Sequence, residues 1–152
     1  MAVEKWVAGA SAGWASAFGS EIASIVNGNA ILSSVNIANG TALDEFMDIS
    51  VSMGSFTPVA PNFLAFYAHP LNQDGTTYGD GRFGTSAAGP PGATYYLGNI
   101  VLTTGAGVKT GMLQRVIMPP GDFKLVLYNQ AGATLAASGS VIKYRSYNRS
   151  VA

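Results

Sequence analysis

Cysteine is absent from the 152 residues, and charge is scarce: Lys plus Arg number 8, Asp plus Glu number 8, and histidine occurs once. Without thiols there is no disulfide framework, no thiolate zinc site and no cysteine nucleophile. Charged residues make up 11% of the chain, against about a quarter in an average globular domain. The formal net charge is zero, which argues against a nucleic-acid binder, because such a domain is basic. No run of about 18 apolar residues occurs, so no transmembrane helix is expected. No secretory leader is expected either: Glu4 and Lys5 cancel, and Ser, Gly and Trp interrupt the apolar residues after them. The chain is therefore expected to be made in a cytosol-like compartment. The triplets at Asn39 and Asn148 are then read as accidental matches to a glycosylation site.

Hydrophobic residues reach 48% and glycine 19 of 152, a composition opposed to disorder. The length fits one domain of about 100–150 residues. Apolar residues mostly alternate with polar ones in short runs. Met47, Ile49, Val51 and Met53, with Leu43 before them, point one way, and Asp44, Asp48, Ser50 and Ser52 the other. Residues 62–69 are apolar on both faces, as in a central strand. Further strands are predicted at 31–37, 95–102, 112–118, 123–128, 133–137 and 140–147, separated by Gly, Pro and Asn turns. The runs at 123–128 and 133–137 read as a hairpin, and Thr76, Thr77 and Tyr78 as a further short strand. Eight or so short strands in this rhythm predict an all-β sandwich, jelly roll or barrel.

The first 29 residues read differently. Trp14, Phe18, Ile22 and Ile25 have a 4-4-3 spacing, which predicts one helical face. Gly13 and Gly19 shorten it, leaving a helix from Ser20 to about Val26 after a Trp-bearing arm. The expected division is an arm and short helix over 1–29 and a sandwich over 30–152.

Motifs that carry chemistry are few. His69 stands alone and is read as structural. The Asp74 and Asp80 stretch evokes a calcium loop, but counting from Asn72 puts Thr77 and Phe83 where Gly and Glu are needed. Residues 104–110 evoke a phosphate loop, yet Val108 precedes Lys109 where Gly is required. No Gly-x-Ser-x-Gly elbow and no carboxylate pair is found, so no enzyme, cofactor or metal site is expected. Lys143, Arg145 and Arg149 share one face of the terminal strand, interleaved with tyrosines. With zero net charge, that face suits a protein partner better than nucleic acid. Residues 1–81 carry seven acids and the one base Lys5, a net of −6. Residues 82–152 carry seven bases and the one acid Asp122, a net of +6.

Several segments carry a resemblance. They are 118–129 (MPPGDFKLVLYN), 132–139 (GATLAASG), 141–148 (VIKYRSYN) and 19–28 (GSEIASIVNG), with 48–52, 66–70 and 74–81 between them. Together they resemble the jelly-roll capsid cement, or decoration, proteins of tailed bacteriophages, over most of residues 19–148. The resemblance implies a single jelly roll of about eight strands on the outer surface of a virion capsid. It implies contacts with the major capsid protein and with further copies of the chain, as a dimer or trimer. It brings no catalytic residue, and residues 1–18 lie outside it. The expected partner interface is Trp6, Trp14 and Phe18 in the arm, with Lys143, Arg145 and Arg149 on the last strand. The alternative function is a glycan- or receptor-binding sandwich of a tail fibre or spike, using the tyrosines between Tyr78 and Tyr96.

Overall fold

The computed structural model describes residues 4–72, 74, 76–77, 87–89, 91 and 95–151. Among them are ten strands: β1 (Glu4–Ala8), β2 (Ala15–Ser16), β3 (Asn29–Ile37), β4 (Phe46–Phe56), β5 (Phe63–Pro70), β6 (Ala87–Ala88), β7 (Tyr95–Val101), β8 (Gly107–Ile117), β9 (Phe123–Gln130) and β10 (Val141–Val151). They form two antiparallel sheets, β1-β10-β4-β8 with β2 also on β10, and β6-β3-β9-β5-β7. Leaving aside the two-residue strands, the first sheet runs first, eighth, third, sixth, and the second runs second, seventh, fourth, fifth. That order is the double Greek key of a jelly roll. Tyr78 and Asp80 lie outside the described residues.

Alternation builds the core. Met47, Ile49, Val51 and Met53 of β4 meet Leu64, Phe66 and Ala68 of β5 and Phe123, Leu125 and Leu127 of β9 between the sheets. Leu43 is not part of that row. It ends a single helical turn, α1 (Asn39–Ala42), in the left-handed conformation and is exposed. The buried Asn39 amide closes this corner, accepting from the Asp44 N–H and donating to the Asp44 and Pro119 carbonyls.

The N-terminal residues belong to the sandwich, not to a detached arm. β1 and β2 line up end to end along the free side of β10, whose backbone groups would otherwise be unpaired. The link between them is pinned as well. Ala10 N–H donates to Asp44, Ser11 N–H to the Ser146 hydroxyl, and Ala17 N–H to the Ile142 carbonyl. Phe18, Ile22 and Ile25 are buried in the core, which explains their spacing without a helix. Only a 3-10 turn forms there (Ser20–Ile22). Glu21 caps nothing by simple helix logic. Its carboxylate accepts from Gly19 N–H and from the Ser34 N–H and hydroxyl, tying the turn to β3.

Residues 133–137 form no strand among the described residues, so the predicted hairpin after β9 is absent. Leu135 and Ala136 instead plug the core from a loop. Asn129, fully buried, holds that loop by donating to the Ile25 and Ala133 carbonyls and accepting from Ala131 N–H. No described helix is long and apolar enough to cross a membrane.

Candidate functional site

The outer face of the β1-β10-β4-β8 sheet carries the most developed constellation of side chains. Asp48 on β4 sits directly opposite Arg145 on β10. Beside it the β4–β8 register slips between the Met47 and Ile49 pairs, so Gln114 and Arg115 of β8 form a bulge. Arg115 there has a left-handed backbone, φ 57°. The bulge takes the Arg115 N–H out of the strand ladder, and the Asp48 carboxylate accepts it at 3.0 Å.

Asp48 is thus a buried node with four donors. Oδ1 accepts from Arg115 N–H and, at 2.9 Å, from the Tyr147 hydroxyl. Oδ2 accepts from Arg145 Nε and Nη2 at 2.9 and 2.8 Å. Burial pushes the Asp48 carboxyl up, but the Arg115 N–H, Arg145 and Tyr147 outweigh it and hold the group below its ordinary range. The Tyr147 hydroxyl moves the other way, raised by burial and by its bond to Asp48. This carboxylate is a fastener and not a free acid.

Around the node the rings and guanidinium groups interleave. Trp6 meets Tyr147 and Phe46 edge-on, with centroids 5.3 and 5.8 Å apart, while Phe46 and Tyr147 stack. Arg115 lies over the Trp6 ring at 5.1 Å and Arg145 over the Trp14 ring at 4.9 Å, a favourable cation–π placement. A groove of about 460 Å³ opens beside them, with Trp6, Ala8, Ala12, Gln114, Arg115 and Arg145 on its walls.

The interface residues expected from the sequence fare differently. Trp6 and Trp14 are at the surface and flank this groove. Phe18 is 5% exposed inside the core, so it is no contact for a partner. Lys143, Arg145 and Arg149 share the outer face of β10 with Tyr147, as strand alternation requires. Arg145 enters the groove, while Lys143 and Arg149 lie farther along the strand. Sequence reasoning misses Asp48, Arg115, Tyr147 and Phe46 as site residues, because their assembly depends on pairing residues far apart in the chain.

Other candidates resolve into structure. Asp74 is an Asx-turn former, accepting from the Thr76 and Thr77 N–H groups and the Thr77 hydroxyl, which lower its carboxyl to about 2. No group of three potential metal ligands occurs among the described residues. His69 is buried on β5, and residues 107–110 enter β8 as strand.

A second surface runs where β7 and β8, the outermost strands of the two sheets, lie side by side. Gly98 and Gly111 let them close up: the Leu113 side chain packs onto Gly98, and Ile100 onto Gly111. Exposed on these two strands are Tyr95, Tyr96 and Val101 of β7 and Val108, Met112 and Ile117 of β8, each at least 44% exposed, with Met112 and Ile117 on the outer face of the β1-β10-β4-β8 sheet opposite Ser50 and Phe46.

No family model, curated protein or solved structure matches the chain.

Proposed function

We propose that this chain is a structural protein of a virion, a cement protein that decorates the outside of a capsid and stabilises it through contacts with the major capsid protein and with its own copies. It is made in the host cytoplasm, carries out no catalysis and needs no cofactor. The observation that carries this reading is the β7–β8 side. Six apolar side chains stand exposed there with few charges among them. Such a patch normally marks a protein interface. The double Greek-key sandwich supports the same reading, since jelly rolls recur in viral capsid domains. Low charge fits as well: a molecule held in an assembly has less need of a charged, solubilising surface.

A lattice multiplies weak contacts, so an individual contact can be modest and the shell still gain stability. Electron cryomicroscopy of intact particles, with counting of copies per particle, tests the proposal. Density for the sandwich across the outer shell in many copies is expected. Confinement of the chain to a few copies at a tail or spike would refute it.

A further inference from the structure

We propose that the groove between Trp6, Arg115 and Arg145 binds an acidic saccharide, seating a sugar carboxylate on the two guanidinium groups. Gln114 and Arg115 of its wall lie on β8 between Met112 and Ile117, so the groove adjoins the β7–β8 side, but the proposal does not depend on the capsid role.

Charge complementarity selects the anion. Arg145 spends Nε and Nη2 on Asp48 but its side chain remains 43% exposed, with donors left over. Arg115 is exposed, its guanidinium rests on the Trp6 ring, and no ion pair with a described carboxylate is formed. The one carboxylate on the groove wall, Asp48, is buried and already saturated. An incoming carboxylate therefore meets two cations and, among the described residues lining the groove, no competing exposed acid. Planar guanidinium groups suit it, since they bind carboxylates in a two-pronged fashion.

The walls and the floor define the body of the ligand. The Trp6 indole, half exposed, offers an apolar face or edge to ring C–H groups, and the exposed Gln114 amide can both donate to and accept from hydroxyls. An acidic peptide is the rival occupant. A peptide commonly gains affinity by adding a strand to an open edge. The floor here is the face of a sheet whose β1, β10, β4 and β8 strands are already paired with one another. A peptide strand would have to add outside the groove, at the free side of β1 or along the bulged β8, whereas a saccharide needs no ladder. The volume of about 460 Å³ falls within the usual range for small-ligand sites.

Trp6 and Trp14 are the only tryptophans in the chain and both touch the groove arginines, so indole emission reports the site directly. The experiment titrates the full chain, at about 0.15 M salt, with oligogalacturonate, oligosialic acid, methyl-esterified oligogalacturonate and poly-L-glutamate. A saturable emission change with at least one of the two acidic saccharides is expected, with little change from the ester or the polypeptide. Arg115→Gln should weaken that binding about tenfold or more, as expected for a charge-assisted contact worth about 1.4 kcal/mol or above. Trp6→Leu should weaken it too. Val101→Ser, on β7 and outside the groove lining, should leave it intact, and unchanged circular dichroism of each variant checks the fold. Absence of saturable binding by both acidic saccharides overturns the proposal. So does equal binding of poly-L-glutamate, or an Arg115→Gln variant that binds like the parent.

Discussion

Removing the Asp48 carboxylate probes what the buried node contributes. In Asp48→Ala, three groups lose their acceptor: the Arg115 N–H, the Tyr147 hydroxyl and the Arg145 guanidinium. Arg145 is 43% exposed and rehydrates, so its share of the ion pair is about 0–1 kcal/mol. The half-buried Tyr147 hydroxyl loses a bond worth about 1 kcal/mol net. The Arg115 N–H is different. It sits in a bulge with no strand partner, its bond to Asp48 is part-buried, and leaving such a donor unpaired costs about 1–3 kcal/mol at most. Asp48→Ala should therefore destabilise by about 2–5 kcal/mol, and Arg145→Ala by about 1 or less. Asp48→Asn, which keeps one oxygen for the Arg115 N–H, should fall between them. Urea unfolding followed by circular dichroism measures all three. The pH dependence supplies an independent check. Asp48 has a folded pKa below its ordinary value, so its stabilisation is present above that value and lost as pH falls through the folded pKa. The acid limb of the parent's stability should be steeper than that of Asp48→Asn. Equal losses from Asp48→Ala and Arg145→Ala would show that the ion pair, and not the bulge N–H, carries the node, and would refute the reasoning.

Three further outcomes are expected. Gly54→Ala should be strongly destabilising, by about 2 kcal/mol or more as a lowered thermal midpoint, because the new Cβ would fall 2.0 Å from the Ser138 carbonyl oxygen; Gly13→Ala, with open space around it, should be near neutral. Phe18→Ala should cost about 3–5 kcal/mol in denaturant unfolding, as for a core aromatic, and Trp6→Ala clearly less, since Trp6 is half exposed. On the proposed function, particles washed in about 1 M NaCl, where the Debye length is near 3 Å, should retain the chain, because apolar contacts at the β7–β8 side would not be screened; release of most copies in that wash would indicate an ionic clamp instead.

The parts of the fold legible in the sequence are those with a two-residue period. Met47, Ile49, Val51 and Met53, and Phe123, Leu125 and Leu127, recur at every second position because each strand has one face on the core, and these rows are buried as the sequence predicts, although Val126 on the other face of its strand is buried too. The N-terminal stretch misleads for a physical reason. Phe18, Ile22 and Ile25 lie at helical spacing, yet an irregular segment crossing the mouth of a sandwich also dips a side chain inward every three or four residues. The choice between helix and coil there is made by the backbone of β10, which offers its free side to β1 and β2 from over a hundred residues away. Residues 133–137 mislead likewise, since small apolar residues plug a core as readily as they form a strand. The groove is the least legible feature. Asp48 meets Arg145 across 97 residues and Arg115 across 67, and the second contact exists only because of a bulge. Charge composition announces few polar residues but not that three of them converge.

The two surfaces also differ in how they can be used, and β8 shows why. It is an 11-residue outermost strand bearing exposed Val108, Met112 and Ile117, a profile that invites edge-to-edge aggregation. Two features oppose that. Lys109 pairs with Met53 and points into the sandwich, 5% exposed, with Nζ 3.5 Å from the Thr103 hydroxyl. A second strand laid along β8 would bury this charge more deeply, at an energetic cost. Farther along the strand, the Gln114–Arg115 bulge breaks the regular spacing that such a strand would need. The backbone of β8 is therefore guarded while its side chains remain available. On the proposed function, contacts through this side would be made by apolar side chains against a complementary surface, a geometry that permits a defined assembly without open-ended sheet growth. The same bulge turns Arg115 toward Trp6 and Asp48. One local irregularity thus both closes the edge to strand addition and builds a wall of the groove.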